Sequence, residues 1–264
     1  MGVTETRTMS AAATTLERLA EETWDRLDLS CRCGCAQSEE TITDINLLEL
    51  VRCRTRGLRV YKARGKDEPT KGFDWEWYVG ANGAGWWRYS VQAKKLDVRA
   101  NRYPGFRHAV AGRFQIDILA DFARSNRTVP LYCFYNAVSA AVEQAHWHCR
   151  LQFRAKQLGC SLAPLEVAQQ LHRSGVHRTF ENAHHDPRVL PWRCIVVCPL
   201  ICGPFPRVAH PLAPEGQEVQ LLSALPDFLR GQPEETPVVE LPREGYVSEL
   251  GGLPRWIMVI DLGA

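Results

Sequence analysis

Apolar and polar positions alternate along the chain with two distinct periods. From 14 to 29, Leu16, Leu19, Trp24 and Leu27 recur at helical spacing and predict an amphipathic helix; residues 1 to 11 ahead of it read as lacking regular structure. A second helix is predicted over 38–52, where positions 40, 44, 47, 48 and 51 share a face. Glu40 and Asp44 thereby extend a stripe continued by Leu47, Leu48 and Val51, so two acids point toward the core at one helix end. That is costly unless a cation or a donor meets them. Three strands follow, over 58–63, 73–79 and 87–96, the last two joined as a hairpin by Gly80-Ala-Asn-Gly-Ala-Gly85. A helix over 114–124, with Phe114, Ile118, Leu119 and Phe122 on one side, and a largely apolar strand over 129–135 complete the order helix, three strands, helix, strand. Beyond it the pattern predicts a helix within 137–158, another over 164–174, a buried strand over 192–201 and a final strand over 256–262.

Strand alternation turns this order into candidate chemistry. In Phe73-Asp74-Trp75-Glu76-Trp77 the aromatics share one face and the two acids the other; in the next strand Gln92 and Lys94 share a face opposite Val91, Ala93 and Lys95. A hairpin lays these polar faces side by side, and Glu40 arrives from the helix. Phosphodiester hydrolysis calls for such a set: hard oxygen ligands for one or two magnesium ions, and a fixed cation for the charge that develops on phosphate. Asp74 is the expected principal metal ligand, with Glu40, Glu76 and, more weakly through its neutral carbonyl, Gln92. Lys94 is expected to orient the attacking water or stabilise the transition state. Manganese would serve in place of magnesium.

The formal net charge of the 264 residues is only +2, with 45% hydrophobic residues, but the charge is unevenly spread. Between positions 88 and 127 nine Lys and Arg stand against three Asp, whereas 211–264 holds three Arg against nine Asp and Glu. A basic stretch beside an acidic tail suggests a polyanion surface in the first and a partner-facing segment in the second. Lys95, Arg99, Arg102, Tyr103 and Arg107 directly follow the candidate lysine, and they are expected to contact nucleic acid, the basic side chains on phosphates and Tyr103 or Phe106 stacked on a base. There is no run of eighteen apolar residues and no secretory signal, so a cytoplasmic protein with no membrane partner is expected.

These residues carry a resemblance. The element order, Asp74 on the second strand and Gln92-Ala-Lys94 on the third resemble the PD-(D/E)XK nuclease superfamily, in particular its Mrr-like branch, where Gln replaces the usual third-strand acid. Glu39-Glu-Thr-Ile-Thr-Asp44, Asp74-Trp-Glu-Trp77 and Val91-Gln-Ala-Lys-Lys-Leu96 also resemble an uncharacterised bacterial family associated with defence islands. The resemblance covers about 36–136, with weaker echoes to about 202. It implies an α/β restriction-endonuclease-like core with a mixed central sheet and helical and C-terminal additions. The chain divides accordingly into an N-terminal helix and arm (1–35), the nuclease-like core (36–136) and an extension packed on it (137–264). The implied activity is that of a magnesium-dependent endonuclease, DNA favoured, with Glu40, Asp74, Gln92 and Lys94 as its site and a homodimer or regulatory partner to restrain it. Gln92 lowers the acid count, so the second reading is a nucleic-acid-binding or regulatory subunit that keeps the fold without the chemistry.

The ten cysteines, in a chain without an export signal, read as free thiols. Zinc is not expected. Cys31, Cys33 and Cys35 sit two apart, and Cys194, Cys198 and Cys202, on a predicted strand, would lie roughly 13 Å from one to the next. His146-Trp-His148 and His184-His185 read as positions on a polar helix face or in a loop.

Overall fold

In the computed structural model of the chain, residues 3–63, 72–198, 201, 209–230, 239–241 and 255–263 are described. The first helix, α1, spans Val3–Cys33, so it begins well before the amphipathic segment and takes in most of the arm expected to lack structure. Its predicted stripe is core: Leu16 and Leu19 are fully buried, and Trp24 and Leu27 nearly so. Helix α2 spans Glu39–Cys53, α3 spans Gln115–Asn126 and α4 spans Leu165–Arg173.

The strands, in chain order, are β1 (Leu58–Ala63), β2 (Trp75–Ala81), β3 (Gly85–Lys95), β4 (Val129–Tyr135), β5 (Cys160–Pro164), β6 (Leu190–Pro191), β7 (Val239–Leu241) and β8 (Trp256–Asp261). Among the described residues they form one mixed sheet in the order β7-β1-β8-β2-β3-β4-β5-β6, with Leu221–Leu222 pairing onto β3. The β2–β3 hairpin is antiparallel with Trp75 opposite Val91 and Ala81 opposite Gly85, and its tip carries Gly83 at φ 83°, a backbone that glycine adopts without strain. The C-terminal strand β8 inserts between β1 and β2, antiparallel to the first and parallel to the second. Local patterning located that strand; only long-range pairing gave it its neighbours.

Alternation sorts the two faces. On one, Tyr135 meets Thr43 of α2 (2.9 Å), Cys160 meets Asn46 of α2 (3.8 Å), and Trp77 stacks on Trp192. On the other, Tyr132 stacks on Phe106, whose carbonyl accepts from His172 of α4 (2.7 Å), and Lys94 reaches Gln115 of α3 (3.1 Å). A smaller apolar cluster of Tyr61, Tyr78, Trp86, Leu225, Leu229, Ile257 and Val259 lies farther along the sheet.

Two predicted elements are corrected. The segment 137–158 is not a helix but extended chain with short 3-10 turns at Gln144–His146 and Ala155–Gly159. Burial there alternates, at Trp147 and Cys149, and the Trp147 indole donates to Leu151 O at 2.9 Å, so tertiary packing overrides helical propensity. In 192–201 the strand gives way to a helical turn at Cys194–Val197. A short run buried on every side has no periodicity to separate strand from helix. The turn brings Cys194 Sγ to 3.5 Å from Cys149 Sγ; this hydrogen bond lowers the Cys149 thiol and raises that of Cys194. Cys198 N donates to Cys194 O at 3.1 Å, so these two cysteines lie one helical turn apart rather than the roughly 13 Å of a strand, and Cys202 lies outside the described residues.

His184 ends a short helix, Phe180–His184, but is fully buried rather than on a polar face, with Nδ1 on Phe180 O (2.8 Å) and Nε2 on Ser161 Oγ (2.9 Å). Burial depresses it to about 3, and burial does the same to His210, which pairs with the Tyr89 hydroxyl at 3.2 Å. Both imidazoles are neutral in the folded chain, while the unfolded chain takes up protons below the ordinary histidine value. Their contribution to stability is complete above about pH 6.5 and is lost as pH falls toward 3, with a slope approaching about 1.4 kcal/mol per pH unit for each. Urea unfolding at pH 7.5, 6 and 5 is expected to show this fall, and a His184→Gln variant to flatten it. A pH-independent midpoint across that window would contradict the burial of both rings.

Candidate functional site

The end of the sheet at which β2 begins and β3 finishes is flanked by the N-termini of α2 and α3. Ser38 caps α2, its hydroxyl accepting from Thr41 N at 3.1 Å, and Glu39 and Glu40 occupy the first turn, where acids favour the helix dipole. The cap places both glutamates at the C-terminal end of β3. Glu39 Oε1 accepts from Lys95 N (3.0 Å) and Glu39 Oε2 lies 3.4 Å from Lys94 Nζ. On the far side Gly72, at φ 73°, lets the chain press on α3; a Cβ there would come within 2.5 Å of Gln115 O. Asp74 follows two residues later, just before β2.

Asp74 Oδ2 accepts two hydrogen bonds of 2.7 Å, from Gln92 Nε2 and from Ala93 N. The Gln92 amide also donates to Ala93 O at 3.0 Å, so both of its nitrogen's contacts are acceptors and its orientation is determined. That leaves Gln92 Oε1 buried and, among the described residues, without a hydrogen-bond partner. Buried amide oxygens are rarely left so. Lys94 is only 4% exposed, its ammonium held between Glu39 and Gln115. Gly105 lies against it, its ideal Cβ 3.2 Å from Lys94 Cδ.

Around these groups is a cavity of about 250 Å³ lined by Glu39, Glu40, Thr43, Asp74, Gln92, Lys94, Gly105, His108, Gln115, Arg255 and Trp256. The structure thus brings Glu40, Asp74, Gln92 and Lys94 to one cleft. Glu76 is elsewhere: it shares the polar face, as alternation requires, but is fully buried against Arg88, whose Nε is 3.1 Å from Glu76 Oε1. A carboxylate neutralised by a guanidinium in the interior is a poor metal ligand, and Glu76 leaves the proposed set. Asp44 is likewise engaged, by Arg255 at 2.7 Å.

Glu39, His108, Gln115 and Arg255 also line the cleft and stand outside the set expected from the sequence. The helical face that packs lies about one position from the expected one: the buried side of α2 is Ile42, Thr43, Asn46, Leu47 and Leu50, whereas Leu48 is 64% exposed. Weighting Ile42 and Leu50 would have nominated Glu39 beside Glu40. Nothing in the local pattern signals the other three, which reach the cleft by tertiary contact.

The expected nucleic-acid residues divide. Arg99, Arg102 and Arg107 are exposed, and Lys95 is partly so. Tyr103 is fully buried, its hydroxyl donating to Asn136 Oδ1 at 2.6 Å, and Phe106 is core. Neither ring can stack on a base; both anchor the basic loop instead.

Among the described residues, no three His, Cys, Asp or Glu side chains stand close enough to hold a metal ion by themselves. Magnesium asks for less, since it keeps waters and takes phosphate oxygens, so one or two protein donors suffice. The Asp74 carboxylate beside the unpartnered Gln92 carbonyl fits that requirement. No helix among the described residues is long and apolar enough to cross a membrane.

Fold and cleft together define a mixed α/β protein with a carboxylate, amide and lysine site at one end of its central sheet. The chain belongs to the Family of unknown function (DUF6615), whose profile matches residues 12–242, a span that includes Glu39, Glu40, Asp74, Gln92, Lys94 and Gln115. Neither the curated proteins nor the solved structures provide a match.

Proposed function

We propose that this chain is a divalent-metal-dependent nuclease acting on nucleic acid, DNA in preference, on a restriction-endonuclease-like core of the PD-(D/E)XK kind. The observation that carries the reading is the buried, unpartnered Gln92 Oε1 next to Asp74, in a cleft with Lys94. An orphaned acceptor beside a carboxylate calls for a cation, and the ammonium held by Glu39 and Gln115 keeps a third N–H to donate to an anion. Asp74 and Gln92 would hold magnesium or manganese, with Glu40 at the rim; the metal, when bound, supplies an activated water and neutralises charge on the phosphate. Lys94 donates to a non-bridging phosphate oxygen or to the attacking water, and Glu39 with Gln115 keeps its ammonium aimed into the cleft. The cavity is small for a whole nucleotide but suits one phosphate group. A cytoplasmic role in bacterial defence, restrained by a partner or by dimerisation, goes with this reading; of the acidic C-terminal region proposed for that contact, 231–238 and 242–254 lie outside the described residues.

The second reading, a non-catalytic nucleic-acid-binding subunit, rests on Gln92, whose neutral amide oxygen lines the cleft where an acid would bind metal more strongly. One assay separates the two. Purified protein is incubated with supercoiled, linear and single-stranded DNA and with RNA, in magnesium, in manganese and in chelator. The nuclease reading expects metal-dependent cutting of at least one form. Binding to those substrates without cutting in either metal would establish the second reading instead.

A further inference from the structure

Next to the cleft, and sharing no lining residue with it, lies a cavity of about 580 Å³ walled by Arg102, Arg107 and Arg178. The turn of chain between the two is the short 3-10 helix Pro104–Arg107: Gly105 faces the cleft, while Pro104 and Arg107 face the larger cavity. Arg102 is brought there by a reverse turn closed on Asp97, with Asp97 N donating to Arg102 O at 2.8 Å and Arg102 N to Asp97 O at 3.2 Å. Tyr103 N then donates to Arg178 O at 2.9 Å, tying the basic loop directly to the segment that bears Arg178.

Arg178 is the unusual member. It is 2% exposed, and its guanidinium contacts are backbone carbonyls, Leu171 O and His172 O, each at 3.0 Å. Arg102 likewise donates to Gly175 O at 3.2 Å. Among the described residues none of the three is paired with a carboxylate. Asp97 also lines the cavity, but its Oδ1 accepts from Arg99 N and Ala100 N in its own turn. Burial, then the like charges of Arg107 and Arg102, lower the Arg178 pKa from its ordinary value. Buried positive charge is costly unless compensated, and three guanidinium groups around one cavity repel one another until an anion enters. A structural role for Arg178 would be met by its two carbonyl contacts; it would not require two further arginines to face the same space.

We propose that Arg102, Arg107 and Arg178 form a phosphate-binding site distinct from the cleft, taking a phosphate group of a polynucleotide strand or of a free nucleotide. Guanidinium groups recognise phosphate oxygens in pairs of hydrogen bonds, and the cavity has the volume of a nucleotide site. The site stands independently of the chemistry in the cleft.

The test uses the full chain in chelator, so that no cutting intervenes. Inorganic phosphate, 5′-AMP and an end-labelled 16-mer, single-stranded or duplex, are titrated at low salt into native protein and into the Arg102→Glu, Arg107→Glu double variant. Both positions are exposed, so this variant is expected to fold, with circular dichroism as the check. Phosphate binding is expected to weaken at least about tenfold on charge reversal. If the natural ligand is a strand, the 16-mer weakens with it and its salt slope drops by about 1 to 2, while 5′-AMP competes poorly. If it is a free nucleotide, 5′-AMP binding is lost and the 16-mer is unaffected. Arg178→Met, if folded, is expected to repeat whichever pattern appears. The site is overturned if the double variant binds all three probes as the native protein does. Cutting in magnesium is scored separately, so that a protein binding at this site without cutting fails only the nuclease reading, and the converse fails only this one.

Discussion

Lys94→Ala is expected to lower the cleavage rate about 10²- to 10³-fold with little change in affinity for the substrate. The size follows from removing one fixed, desolvated donor that faces charge developing in the transition state. The split between rate and affinity follows from position: Lys94 is 4% exposed at the floor of the cleft, while the arginines that would hold a strand are outside it. Folding should survive, because the partner it abandons, Glu39, is partly exposed and keeps its bond from Lys95 N. Single-turnover cleavage with saturating enzyme, alongside filter binding in chelator, reads both quantities. Asp74→Asn should match the loss of rate and also raise the magnesium concentration needed, since it weakens the charged metal donor. Equal cleavage by native and Lys94→Ala protein would remove the cleft from the reaction.

The largest expected change in stability comes from Glu76→Ala. Glu76 is fully buried and Arg88 is 5% exposed, and the pair is reinforced by the Tyr78 hydroxyl at 3.4 Å and by the Phe122 ring, 5.7 Å from the Arg88 guanidinium carbon. Removing the acid takes the carboxylate away from a buried guanidinium, which costs about 3–5 kcal/mol. The double variant Glu76→Leu, Arg88→Met leaves no charge behind and should recover most of that. Guanidinium chloride unfolding of the three proteins checks it. A loss below about 1 kcal/mol for Glu76→Ala would mean that the pair is hydrated, and would return Glu76 to the candidate metal ligands.

Glu76 shows how far alternation reaches. The rule that neighbours on a strand face opposite ways put Asp74, Glu76, Gln92 and Lys94 on one side of the hairpin, and all four are there. It does not say which group on the facing strand each will bond. Asp74 turned out to serve Gln92 and Ala93, and Glu76 to serve Arg88. On α2, where position along a 3.6-residue period matters to within one residue, a face through Leu48 and Val51 brings Glu40 inward, whereas the face that packs, through Ile42, Asn46 and Leu50, makes Glu39 the acid bonded to β3. Tyr103 and Phe106 were legible as aromatic but not as buried, because an irregular loop has no period to report its inner side.

The order helix, three strands, helix, strand, the hairpin turn and the shared polar face of β2 and β3 were determined by the sequence itself, through local rules: helical spacing, strand alternation and glycine at the turn. Tertiary structure alone decided that β8 would lie between β1 and β2, that His108, Gln115 and Arg255 would join the cleft, and that Arg178 would meet Arg102 and Arg107 across a second cavity. The physical reason is one of range. Backbone geometry acts over a few residues and is written in the pattern, whereas burial of charge is a sum over everything that packs against it, and that sum exists only once the chain has closed on itself.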